Sequence, residues 1–167
     1  MSRMLCLLNR IKAEARRDLL TGNQLIAFEE IKRLWQFPER VNLWGPPGSG
    51  KTMVGWVVGR SLHATIYSSP DTFRERSQYG EARVIVDNVP YDQHALRTVL
   101  AEMQLKNIRT ALLITIQPNR LGLPTVALRP PTTEDIDVLY RNLSLMEHYA
   151  LSPLREGNFW DIIYSVL

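Results

Sequence analysis

The chain of 167 residues has a single cysteine, Cys6. An intramolecular disulfide is therefore excluded, and the composition suits a reducing compartment. No apolar run approaches the roughly 18 residues that a membrane-crossing helix needs. The apolar start Met4-Leu5-Cys6-Leu7-Leu8 is too short for the core of a secretory leader. No membrane partner is expected, and the expected location is the cytoplasm. No internal repeat or low-complexity tract is present, and a hydrophobic fraction of 45% argues against wholesale disorder. Lysine is scarce, since arginine supplies sixteen of the twenty basic residues. The net charge is only +3, an excess that by itself says nothing about nucleic acid.

Against this background one segment stands out. Gly45-Pro46-Pro47-Gly48-Ser49-Gly50-Lys51-Thr52 fits G-x-x-x-x-G-K-[ST], and it lies between a strand-like run, Val41 to Trp44, and a helix-compatible one, Met53 to Leu62. Glycines let the backbone curl so that successive N–H groups face phosphate oxygens, and the following helix adds its positive end. In such a loop Lys51 reaches the β- and γ-phosphates and the Thr52 hydroxyl ligates Mg²⁺. The cofactor-binding set is Gly45 through Thr52 with Met53. The implied ligand is ATP or ADP with Mg²⁺.

The rest of the chain alternates strand and helix. The spacing predicts a first helix over 2–19 and a second over 24–35, with Asn23 as the cap of the second. Strands are expected at 41–44, 64–67, 83–86, 111–116 and 125–128, with helices at 52–62 and 92–105 between them. Continuous apolar strands separated by helices predict an α/β fold of the P-loop NTPase kind: a parallel five-stranded sheet sandwiched by helices. Past Arg129-Pro130-Pro131 only helices are expected. Thr132-x-x-Asp135 resembles a capping box opening a helix to about Leu143, Ser144-x-x-Glu147 a second, and Asn158 caps a last one. The expected divisions are N-terminal helices at 1–38, a P-loop core at 39–130 and a short helical lid at 131–167.

Arg83-Val84-Ile85-Val86-Asp87 has the form of a strand that delivers a carboxylate to the nucleotide, so Asp87 joins Thr52 as a metal ligand. Asn88 follows, where many P-loop ATPases carry the glutamate that polarises water. An amide accepts no proton, though it orients water by hydrogen bonding. If Asn88 limits turnover, Asn88→Glu raises the rate; otherwise another side chain does this work. The fourth strand ends in Thr115-Ile116-Gln117, whose polar side chains share a face, and one of them is expected at phosphate or water. Arg120, with Arg129 as rival, is a candidate arginine finger acting on a neighbour's nucleotide. The candidate catalytic set is Lys51, Asn88, Gln117 and Arg120. On a helix, positions 10, 13, 14 and 17 share one side, so Arg10, Lys12, Arg16 and Arg17 either display a basic face towards DNA or decorate a solvated surface.

These motifs together resemble the AAA+ ATPases. The run from Asn42 to Thr52, and Val126-Ala127-Leu128-Arg129-Pro130-Pro131-Thr132-Thr133-Glu134-Asp135, are similar to the branch of bacterial replication initiators, helicase loaders and transposition regulators. The resemblance covers about residues 20–167. It implies a DNA-processing setting and an oligomer, formed by self-association or with another AAA+ protein. The chain departs from the pattern twice: Asn88 replaces the glutamate, and Trp160, after Gly157-Asn158-Phe159, stands where the family places a γ-phosphate-sensing arginine. Arg155 is out of register. The expectation is an ATP-dependent assembly or recruitment switch with weak or no hydrolysis, at most a slow ATPase. The alternative is a small-molecule (nucleotide) kinase, for which Arg74 and Arg76 in the segment 68–78 are the only lid candidates.

Overall fold

A computed structural model describes residues 3–147, without the side chains of 3–5 and 143–147. The expected cap at Asn158, Arg155 and the Trp160 position lie outside the described residues. Five strands form the centre: β1 (Arg40–Trp44), β2 (Thr65–Tyr67), β3 (Val84–Val86), β4 (Ala111–Thr115) and β5 (Thr125–Ala127). All neighbours pair in parallel, in the order β2-β3-β4-β1-β5. Parallel strands end at one edge of the sheet, where ligands of open α/β sheets gather. β4 lies between β1 and β3, with Trp44 opposite Thr115 and Val86 opposite Leu113. That register gathers the residues following β1 and β3 and the end of β4 at one place.

The strand residues alternate between two cores because side chains of a strand point to opposite faces. On one face Val41, Leu43, Ile85, Leu112 and Ile114 pack beneath α2 (Gly22–Leu34) and α3 (Lys51–Ser61). On the other, Val84, Val86, Ala111 and Leu113 meet Phe73 of α4 (Pro70–Arg76) and Leu96, Val99 and Met103 of α5 (Gln93–Leu105). Burial on both faces explains why these strands read as continuous apolar runs. A third cluster joins Leu7 and Ile11 of α1 (Arg3–Glu14) to Ile136 and Tyr140 of α6 (Thr133–Glu147), with Met53 and Trp56 of α3 against it.

Several expectations are corrected. The first helix stops at Glu14, and Arg17–Leu19 forms a separate 3₁₀ turn. Leu7 and Ile11 serve the cluster with α6, whereas Ala15 and Leu20 enter the core beneath α2, so one straight helix would not place both sets. The arginines of this stretch, read either as a basic face or as a solvated surface, have carboxylate partners. Arg10 pairs with Glu14 at 3.1 Å, Arg16 with Asp18 at 3.2 Å and Arg17 with Glu29 at 2.6 Å. Asn23 does not cap α2. Thr21 is the N-cap, and its N–H donates to Gln24 Oε1 at 3.0 Å. Ser144 to Glu147 continue α6 and do not open another helix. The segment after β2 forms α4, capped by Ser69 Oγ accepting the Thr72 N–H at 3.2 Å.

The capping box at the start of α6 forms as expected. Asp135 Oδ2 accepts from Thr132 N–H at 2.9 Å, and Thr132 Oγ1 accepts from Asp135 N–H at 3.2 Å. Asn23 joins it, its Nδ2 donating to Asp135 Oδ2 at 2.7 Å, so α2 and α6 are tied at their N-termini. Burial pushes the Asp135 carboxyl up, but the hydrogen bonds from Thr132 and Asn23 outweigh it and hold the group below its ordinary value.

Candidate nucleotide site

The loop after β1 owes its shape to a close approach. A Cβ at Gly45 would lie 2.5 Å from the Leu128 carbonyl oxygen, so the chain passes β5 only as glycine. Gly48 and Gly50 follow with φ of +72° and +85°, in the left-handed region that glycine enters without steric cost. Gly50 brings no side chain to cap α3. The N–H groups of its first turn are left for an anion, and the helix end is positive.

Lys51 opens α3 and is almost fully buried. Its Nζ donates to the carbonyls of Gly45 at 2.7 Å and Pro46 at 2.8 Å. Burial lowers its pKa from the ordinary lysine value, and the Asp87 carboxylate partly restores it. Thr52 Oγ1 donates to Asp87 Oδ2 at 2.8 Å, bringing together the two residues expected to hold Mg²⁺. Among the described residues no cluster of three or more His, Cys, Asp or Glu side chains is arranged for a metal ion. A hydroxyl and one carboxylate suit Mg²⁺ completed by phosphate oxygens and water, the manner in which this ion binds nucleotides.

Asn88 lines the cavity beside Asp87. Its φ is +52°, its N–H donates to Asp87 Oδ1 at 2.7 Å, and its Nδ2 donates to the Ser68 carbonyl at 3.0 Å. Asparagine is among the few residues that tolerate the left-handed region, so the residue type answers a turn as much as a chemistry.

At the end of β4, Thr115 and not Gln117 lines the cavity. Thr115 Oγ1 accepts from Asn42 Nδ2 at 2.9 Å and donates to the Gln117 carbonyl at 2.6 Å, while the Gln117 side chain is exposed outside the lining. Asn42, fully buried in β1, also accepts from the Asn119 N–H at 2.9 Å. Asn119 in turn accepts from the N–H groups of Leu121 and Leu123. The loop that carries Arg120 is thereby fixed to the strand that precedes the P-loop. Arg120 and Arg129 are both exposed and away from the cavity of their own chain.

The cavity measures about 1180 Å³, and Pro47, Gly48, Gly50, Lys51, Thr52 and Met53 form its middle. On one side, Leu8 and Ile11 of α1, Leu19, Trp56 of α3 and Leu139 of α6 make an apolar wing, with Asn142 donating to the Leu19 carbonyl at 2.9 Å. On the other side lie Tyr67, Ser68, Thr72, Arg76, Asn88 and Tyr91. Apart from Asn88 and the segment containing Arg76, the sequence singles out neither wing, because their residues carry only the ordinary helical and strand periodicities, which read as core. A phosphate cradle next to an apolar slot of this size fits a nucleoside triphosphate.

A scan against protein-family models gave no match, and neither did a search of curated protein sequences. Comparison with solved structures did. The chain is similar to AMPPCP-bound DnaA from Aquifex aeolicus, with a TM-score of 0.59 and 11% identity over 87% of this chain. It spans 60% of that chain's length. At such identity the likeness speaks of the fold alone, and it agrees with the topology described here: a P-loop NTPase fold with a five-stranded parallel sheet and helices on both faces.

Proposed function

We propose that this protein is an AAA+-type ATP-binding switch that grips MgATP and assembles, with itself or with another AAA+ protein, while hydrolysing ATP slowly or not at all. The observation that carries the reading is the pairing of a complete triphosphate cradle with a disarmed neighbour. Lys51, the uncapped start of α3 and the Thr52–Asp87 pair supply binding, whereas Asn88 is spent on a turn and on the Ser68 carbonyl. The fold likeness to a DnaA bound to AMPPCP supports nucleotide binding of this kind. Arg120, exposed on a loop held by Asn42 and Asn119, is the residue proposed to reach a neighbouring copy's nucleotide, and its exposure supports that reading. The proposed setting is a DNA-processing system in replication or transposition, in the cytoplasm.

The partner favoured is a protein. Arg10, Arg16 and Arg17 all have carboxylate partners, which leaves little unneutralised charge for phosphates at the N-terminus. Light scattering on size-exclusion fractions, with and without MgATP, tests the proposal. Assembly driven by MgATP and lost in Lys51→Ala is the expected result; an ATP-independent monomer contradicts the switch. The kinase alternative draws on Arg76, which faces the cavity, and formation of nucleoside diphosphate from a monophosphate and ATP would establish it.

A further inference from the structure

The cavity is larger than one nucleotide requires. Ligand sites commonly enclose about 300–1000 Å³, and this one measures about 1180 Å³ with the P-loop in its middle. A triphosphate on Lys51 and Thr52 with its base in the apolar wing leaves the wing beyond Asp87 unfilled. That wing is built from the end of β2, the inner side of α4 and the turn before α5: Tyr67, Ser68, Thr72, Arg76, Pro90 and Tyr91.

Two arginines of α4, two positions apart, behave differently. Arg74 faces away from the cavity and is ion-paired with Asp71 at 3.4 Å and with Glu102 at 3.7 Å. Arg76 lines the cavity and has no ion pair or hydrogen bond among the described residues. It is the only cation of this wing among the described residues, Lys51 lying in the middle and Lys12 in the apolar wing. Its planar fork matches a phosphate bidentately. Asp92, also on the cavity, spends one oxygen on the Ala95 N–H at 2.9 Å as the cap of α5 and keeps the other for a donor. Tyr91, half exposed, adds an aromatic surface to the same lining.

The geometry points to a second ligand site in this wing, in which Arg76 binds the phosphate group of a small phosphorylated molecule beside the bound nucleotide. The inference rests on the nucleotide reading above, because the P-loop ligand forms one wall of the site. It assigns binding only.

The test loads the protein with the Mg²⁺ complex of AMPPCP, then titrates AMP and inorganic phosphate as probes, followed by ligand-observed proton and phosphorus NMR. Saturable binding of either probe, weakened about tenfold or more in Arg76→Ala and unchanged in Arg74→Ala, is the expected result. Which probe binds distinguishes a phosphate ester from the free anion. A loaded protein that takes neither probe, or an Arg76→Ala variant that binds like the parent, overturns this inference and leaves the nucleotide reading intact. So does an Arg76→Ala variant whose only defect is weaker binding of AMPPCP relative to ADP, which would assign Arg76 to the γ-phosphate. Failure of the parent to bind AMPPCP at all overturns the nucleotide reading and this one with it. Arg76 is exposed at the end of α4, so its replacement leaves the core untouched, and the unfolding temperature of the variant verifies this.

Discussion

Asn88 donates its side-chain amide to the carbonyl of Ser68 at 3.0 Å while its backbone holds a φ of +52°. The contact joins the end of β3 to the end of β2 beside the hydrogen-bonded Thr52 and Asp87. It also decides what replacement at this position will do. Glutamate has no amide to give Ser68 and enters the left-handed region at a cost of about 1–2 kcal/mol. Asn88→Glu is therefore expected to lower stability by about that amount and to leave ATP turnover unraised, contrary to what restoring a glutamate suggests on sequence grounds. Denaturant unfolding and phosphate release measure the two effects. A rise in turnover of tenfold or more would show that the backbone accommodates the base.

Lys51 carries a charge that its own surroundings disfavour. Burial depresses its pKa, so its charged form is less stable in the folded chain than in the unfolded one. The cost is greatest below the depressed value and fades as pH rises from it towards the ordinary value near 10.4. Lys51→Met is expected to leave the stability of the unliganded protein at neutral pH little changed, since relief of the buried charge offsets the Gly45 and Pro46 carbonyls left without a donor. It is expected to weaken nucleotide binding about tenfold to a hundredfold, the worth of a charge-assisted hydrogen bond to phosphate. Thermal unfolding with and without MgATP reads both.

Asn42 is a fully buried amide in β1, bonded to Thr115 of the neighbouring β4. Asn42→Ala would strand the Asn119 N–H, which it accepts at 2.9 Å, and would free the loop bearing Arg120. Destabilisation of about 2–4 kcal/mol is expected from buried groups left unpaired. Asn42→Leu is expected to be no better, since the partners rather than the volume are lost. If Arg120 acts across an interface, the same variant also weakens ATP-dependent assembly at temperatures where it remains folded.

Asp135 links α2 and α6 as a carboxylate. Its folded pKa lies below the ordinary value, so it adds stability above pH of about 4, and this is lost as pH falls through the folded value. Asp135→Asn is expected to be less stable than the parent at pH 7 by about 1–2 kcal/mol and to close that gap in acid. Parallel pH series of denaturant midpoints would reveal it, and equal acid sensitivity of the two proteins would refute the assignment.

The central strands were legible because β1, β3 and β4 are buried on both faces, which turns each into an apolar run such as Ala111-Leu112-Leu113-Ile114. The capping box at Thr132 was legible because both partners lie within four residues. Asn23 was misread as a cap because its partner, Asp135, is distant in sequence. The two readings of the N-terminal arginines stayed open for the same reason, as Arg17 finds Glu29 only after the chain has turned. The segment 68–78 showed two arginines and no hint that one would be neutralised by Glu102 of α5 while the other faced the cavity.

What the residues determined alone is therefore local: a glycine-rich loop between strand and helix, with Lys51 and Thr52 at fixed offsets, the pattern of a phosphate-binding loop. The tertiary structure decided everything that depends on distant partners. It placed β4 between β1 and β3, so that Asp87 meets Thr52. It brought α1, α3 and α6 together into the apolar wing, and it gave Asn88 a left-handed backbone and a bond to the Ser68 carbonyl. Offsets along one element are set by its own geometry, but contacts between elements exist only once the sheet has ordered them.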